Sequence, residues 1–343
     1  MPDIAPNPEA SAPQELADLC APGADGATIC LACQWRCALR PNELGRCQVR
    51  AGSEEGIVLL NHGLISGATI GPIEDHRLWH FLPDSLALAI GGWGYATVTD
   101  QGRAPYGLIP ADPAKRRKLP ADRAANFALE RLCRGVVWAY GEPAVNHEYV
   151  RGLLQLSRAA SRYTALVTTG AMTVEALDQL GPYLDAISLD LRGFADASYA
   201  RLAGVPAWRE MLAIAERAHT RWHCHVEVVT RIHHGVNDDP DELRALVGWI
   251  KEALGEQTPW HVLPGDAGSE TAAATTRARR LGHETGLQFV YGAEPNQQTR
   301  CPICHHTLIT RNNGVTRLVG LNGSACANCG HETKLQLSIF KQR

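Results

Sequence analysis

The chain has 343 residues, 45% of them hydrophobic, and a formal charge of -3 from 33 basic and 36 acidic side chains. That length can bury a large core or two to three smaller ones, and the balanced charge leaves no extended basic stripe for nucleic acid and no polybasic membrane anchor. No apolar run reaches the ~20 residues that span a bilayer and no basic, apolar leader opens the sequence, so a cytoplasmic protein is expected. In that compartment the 11 cysteines point to metal ligation rather than disulfides.

Residues 1–26 are rich in Pro, Ala, Gly and Asp and read as a disordered tail. Residues 27–57 form a four-cysteine module in which Cys30, Cys33, Cys37 and Cys47 suit either a zinc site or a 4Fe-4S cluster, and spacing alone does not choose. From 58 to 295, short apolar or β-branched runs alternate with longer helical patterns. The expected strands are Leu86–Gly92, Gly135–Tyr140, Ala165–Gly170, Ala186–Leu191, His225–Thr230, Pro259–Pro264 and Leu287–Gly292; helices are expected over 148–162, 173–180, 207–219 and 239–254. Units of roughly 30 to 40 residues argue a parallel sheet, doubly wound or closed towards a βα barrel. No G-x-G-x-x-G follows the first strand, which favours the barrel.

Residues 296–343 carry two C-x-x-C knuckles, Cys301 with Cys304 and Cys326 with Cys329. Each knuckle aims two sulfurs at one point, so a closed tetrahedral site is expected in a zinc-ribbon or rubredoxin-like module, zinc first and iron second. Cys20, Cys133 and Cys224 are expected to be structural thiols, the last two as small buried hydrophobes.

In a βα barrel the chemistry sits at the C-terminal ends of the strands. There the sequence offers Glu142, Thr168, Thr169, Asp190, Arg192, His225, Glu227 and His261. His225 and Glu227 are two apart on one strand and share a face, so with His261 and Asp190 they could form a metal or acid–base cluster. The alternative makes each a hydrogen-bonded polar residue of the interior. His233, His234, His305 and His306 fall in loops and are expected at the surface.

The run Cys30–Arg50, the segment Gly71–Ser85, and AYGEPAVNHEY, VTTG, YLDAISLDLRGFADASYARLAG and VEVVTRIHHGVND together resemble the radical SAM enzymes of the AmmeMemoRadiSam system, relatives of the activases of glycyl radical enzymes. The resemblance implies a partial (βα)6 barrel that binds S-adenosylmethionine across its mouth, with a 4Fe-4S cluster in the loop after the first strand. In that loop the family carries G-C-x-x-x-C-x-x-C. Here Tyr95, Thr99 and Gly102 stand at the three ligand positions. Hydroxyls and a glycine do not replace soft thiolates, so the usual cluster is not expected there. The N-terminal cysteines reverse the spacing and precede the first strand, and cannot simply substitute.

By the same resemblance, Glu142 is expected to contact the amino group of the methionine moiety. Thr169 replaces an Asn, and Arg192 replaces a Lys behind Asp190. The implied function is a pseudoenzyme that keeps a pocket for S-adenosylmethionine or a related nucleoside and acts with a protein partner. Two alternatives stand beside it: non-radical S-adenosylmethionine-dependent or metal-assisted chemistry using His225, Glu227 and His261, and electron transfer through an N-terminal Fe-S cluster.

Overall fold

The structure is a computed structural model that describes residues 15–100, 107–205 and 207–339. Nine strands form its main sheet: β1 (Leu64–Pro72), β2 (Leu86–Gly92), β3 (Arg117–Lys118), β4 (Gly135–Tyr140), β5 (Tyr163–Thr168), β6 (Ala186–Asp190), β7 (His225–Ile232), β8 (Trp260–Pro264) and β9 (Val290–Tyr291). Their order across the sheet is β9, β8, β7, β6, β5, β4, β2, β1, β3. Strand β2 and strands β4 to β9 run parallel; β1 is antiparallel to both β2 and β3.

The parallel strands are apolar on both faces, as a sheet covered by helices requires: Val136, Val137 and Trp138 of β4 and Ala186 to Leu189 of β6 are all buried. The helices are α1 (Ala121–Glu130), α2 (His147–Ala159), α3 (Val174–Leu180), α4 (Asp196–Leu202), α5 (Trp208–Thr220), α6 (Pro240–Trp249) and α7 (Ser269–Glu284). In α2 an apolar stripe of Val150, Leu153 and Leu154 faces the core. Helix α6 starts where the Asp239 side chain accepts from the N–H groups of Asp241 and Glu242, with Pro240 in the first turn.

All the strands expected from the sequence are present, with β5 starting two residues earlier and β9 reduced to two residues. Residues 15–26, expected as part of a tail, are ordered: Ala17 and Leu19 are buried and Cys20–Pro22 pairs antiparallel with Thr28–Cys30, which pairs in turn with Ala38–Leu39. Apolar residues spaced through Leu16-Ala17-Asp18-Leu19 supply the surface that the composition of the stretch as a whole conceals. Residues 1–14 lie outside the described residues.

At the other end, Asn296–Arg300, Thr307–Asn312 and Val315–Leu318 form a three-stranded antiparallel sheet, followed by a small hairpin of Leu321–Asn322 and Ala325–Cys326. The C-terminal segment docks on the stretch just before β2. Leu82 N donates to Gln336 O (2.7 Å), Gln336 N to His80 O (2.8 Å), and the Arg311 guanidinium to Trp79 O (2.5 Å). Among the described residues no helix is long and apolar enough to cross a membrane.

Candidate functional site

A cavity of about 460 Å³ opens at the C-terminal ends of β2, β4, β5, β6 and β7. That volume lies within the range of small-molecule sites. Glu142 enters it just after β4. Gly141 makes the entry possible with a φ of +76°, and a Cβ there would come within 2.7 Å of Gly92 O. One Glu142 oxygen accepts from Thr168 Oγ1 (2.6 Å), the other from Thr169 N (3.0 Å) and Thr169 Oγ1 (2.9 Å). The side chain is 7% exposed. Burial raises its pKa, the three donors pull it back, and the balance leaves it above the usual carboxylate value.

Arg192, just after β6, is equally enclosed. Its Nη2 pairs with Asp100 (2.8 Å) and Asp190 (3.4 Å); its Nη1 donates to Thr99 Oγ1 (2.8 Å), Leu202 O (3.1 Å) and Thr97 Oγ1 (3.3 Å). Desolvation opposes the buried charge, but Asp190 and Asp100 outweigh it and hold the guanidinium protonated. Thr99 in turn donates to Leu202 O (2.6 Å). Tyr95 lines the cavity and neighbours Cys47; burial first, and Cys47 second, push its hydroxyl pKa up. Gly102 lies outside the described residues. The described part of the loop after β2 therefore presents hydroxyls and a carboxylate, of which Thr97, Thr99 and Asp100 are bound to Arg192. These hard oxygen donors do not fit an iron–sulfur cluster, which takes soft thiolates.

The sequence placed His225, Glu227 and His261 with Asp190. The structure does bring the first three together, but not into the cavity. Glu227 is wholly buried and accepts from His225 Nε2 (3.0 Å), His261 Nε2 (2.8 Å) and His80 N (2.7 Å). Two and four residues further along the same face of β7, Val229 and Arg231 do line the cavity, as Asp190 does from β6. The network runs away from the cavity, from His80 Nε2 to Tyr291 OH (2.7 Å) and on to Thr299 Oγ1 (2.7 Å) at the start of the C-terminal module. Burial pushes Glu227 up, yet the bonds from His225 and His261 prevail and hold it far below the usual range. Burial pushes the His80 pKa down to about 3.

Cys301, Cys304, Cys326 and Cys329 bring their sulfurs within 4.8 Å of one another, with 3.6 Å between Cys301 and Cys329 and between Cys304 and Cys326. A tetrahedral ion with metal–sulfur bonds of ~2.3 Å has edges of about 3.8 Å, so this set suits one ion. Cys30, Cys33, Cys37 and Cys47 line a separate enclosed cavity of about 10 Å³ together with Trp35 and Arg50. Arg50 is buried, pairs with Glu148 and lies 3.9 Å from Cys30 Sγ. This module sits beside the loop after β2: Trp35 Nε1 donates to Ala96 O (2.6 Å), Gln34 Nε2 to Met172 O (2.7 Å), and Thr173 Oγ1 to Leu31 O (2.6 Å).

Cys133 and Cys224 are buried, as expected, and Cys20 lies directly opposite Cys30 in the strand pair. His234, His305 and His306 are exposed and His233 is half-buried against Asp266. Sequence reasoning missed Asp100, Arg77 and Arg231 as cavity residues. Carrying the alternation of β7 past Glu227 would have found Arg231, whereas Asp100 and Arg77 lie in turns with no periodic signal.

Residues 106–250 match the model of the radical SAM superfamily. The matched stretch contains Glu142, Thr168, Thr169, Asp190 and Arg192 and begins after the Gly94–Gly102 loop. An uncharacterized protein of Methanocaldococcus jannaschii is 26% identical over 330 residues, covering 91% of this chain and 97% of that protein. Among solved structures, a radical SAM methyltransferase from Sphaerobacter thermophilus is 18% identical with a TM-score of 0.47, over 69% of this chain and 72% of that one. QueE from Escherichia coli is 10% identical with a TM-score of 0.41, over 68% of this chain and 93% of that one.

Proposed function

We propose that the sheet is the partial (βα)6 barrel of an AmmeMemoRadiSam-type radical SAM protein that binds S-adenosylmethionine or a related nucleoside and does not cleave it reductively. The observation that carries this reading is the arginine hub. Where the family would hold three irons, Arg192 binds Asp100, Thr97 and Thr99 and closes the loop with oxygen and nitrogen. Glu142 supports the binding half: it is a buried carboxylate that still has acceptor capacity beyond its three donors, suited to an incoming ammonium. Thr168 and Thr169 orient it.

The test is direct. The protein, reconstituted with iron and sulfide without oxygen and then reduced, is expected to bind S-adenosylmethionine by calorimetry and to release no 5'-deoxyadenosine. Release of 5'-deoxyadenosine overturns the proposal.

A second reading, electron transfer through an N-terminal 4Fe-4S cluster, is favoured by the cavity between Cys30, Cys33, Cys37 and Cys47. About four irons and four sulfides per chain after reconstitution are expected on this reading; zinc alone would refute it. The C-terminal set, by contrast, we assign to one structural zinc.

A further inference from the structure

The cavity binds its charged groups unevenly. Arg192 is committed to two carboxylates, two hydroxyls and a carbonyl, which together use its inward-facing N–H groups. A carboxylate or phosphate entering the cavity would have to displace Asp100 or Asp190 to reach it. Two other arginines line the same cavity. Arg77 caps the short 3-10 turn Ile73–His76, and Arg231 lies near the end of β7. Among the described residues neither guanidinium has an ion pair or a hydrogen bond. Arg77 is half-buried and stands over Trp79 at 5.7 Å, in a left-handed backbone conformation with φ +57°. Burial and then the neighbouring charge of Arg231 weaken its protonated form, and Asp75 compensates in part. Arg77 and Arg231 repel each other at the cavity wall, Asp75 offsets that only in part, and an entering anion would complete the balance.

We propose that the ligand of this cavity carries an anionic group, a carboxylate or a phosphate, and that Arg77 and Arg231 hold it while Arg192 does not. The assignment rests on the pocket reading above and deepens it by adding an anionic group to the chemistry of the ligand. Glu142 and the two arginines line one cavity, so a single small ligand can meet the carboxylate and the guanidinium groups with different parts of its structure. Asp75 and His76 flank the arginines and set the rim of the subsite.

The experiment is calorimetry on the full chain with inorganic phosphate, acetate, adenosine, AMP and S-adenosylmethionine, using wild type, Arg77→Gln and Arg231→Gln. Arg231 is exposed, so Arg231→Gln tests the subsite without risk to the fold, and thermal melting checks both variants. Expected is anion binding by wild type that weakens about tenfold or more in each variant, with adenosine affinity unchanged. Preference for phosphate and AMP over acetate identifies a phosphate subsite; the reverse identifies a carboxylate subsite. Anion binding that is absent in wild type, or equal in all three proteins, overturns the proposal, and S-adenosylmethionine binding that persists in that case leaves the pocket reading intact. Anion binding lost in both variants, with no binding of adenosine or S-adenosylmethionine, supports the subsite and removes the nucleoside reading.

Discussion

Replacing Glu142 by Gln separates the charge of that side chain from its shape. In the wild type one oxygen serves both Thr169 donors and the other serves Thr168 Oγ1, which itself accepts from Gly170 N (3.0 Å). A Gln carbonyl can keep the two Thr169 bonds, while its NH2 group faces the Thr168 hydroxyl and turns it from donor to acceptor. One charge-assisted bond is lost, at about 1 to 2 kcal/mol, and the burial of a carboxylate is relieved by a similar amount, so stability at neutral pH should move by less than about 1 kcal/mol. The sign with pH follows from the raised pKa. The folded state holds the proton more tightly than an ordinary glutamate with its value of about 4.5, so stability is full below that value and falls as pH rises through the folded pKa. The Gln variant should lack that slope. Binding is affected far more: an ammonium that loses a charged partner gives up roughly 1.5 to 3 kcal/mol, or ten- to a hundredfold in affinity. Calorimetry with S-adenosylmethionine against adenosine reads this, because only the first carries the ammonium. Equal affinities of wild type and Glu142→Gln for S-adenosylmethionine would refute the role assigned to Glu142.

Acid should unfold the protein earlier than its net charge suggests, because His80 resists protonation in the fold down to about 3 while the unfolded chain takes a proton near 6.5. Below the usual carboxylate range Glu227 adds to the effect, since its stabilising ionised form is lost as pH falls. Unfolding free energies from urea titrations between pH 7 and pH 4.5 should fall, with a slope approaching ~1.4 kcal/mol per pH unit below about 6.5 for His80 alone; a flat profile contradicts the network as drawn. For the C-terminal site, Cys301→Ser should release one zinc per chain by elemental analysis and weaken the docking of the segment around Gln336 on His80 and Leu82. A variant that retains full zinc refutes the four-sulfur assignment.

Much of the fold was legible because the parallel strands are short, continuous and largely apolar, a pattern that GVVWAY shows on both faces. Strand β1 was not legible: Leu64–Pro72 contains two glycines and a proline and lies near the sheet edge, where pairing rather than hydrophobic pattern defines it. The seat of Glu142 was readable from the Gly-Glu-Pro turn after an obvious strand. The placement of His225, Glu227 and His261 was half readable. Strand alternation does put the first two on one face, but it cannot say at which height the cavity ends, and that height is set by the segment around His80 folding in from between β1 and β2.

The N-terminal cysteine module is fastened to residues made much later in synthesis, from Ala96 and Glu148 to Met172 and Thr173. At ribosomal speeds of about 5 to 20 residues per second, on the order of ten seconds separate the emergence of Cys47 from that of Thr173. During that interval the four thiols are already in the cytosol or its equivalent with their docking surface still unmade. On the proposal that these thiols hold a metal centre, the ion or cluster would meet a loop that has not yet docked, and its identity would become a matter of supply and timing as well as of affinity.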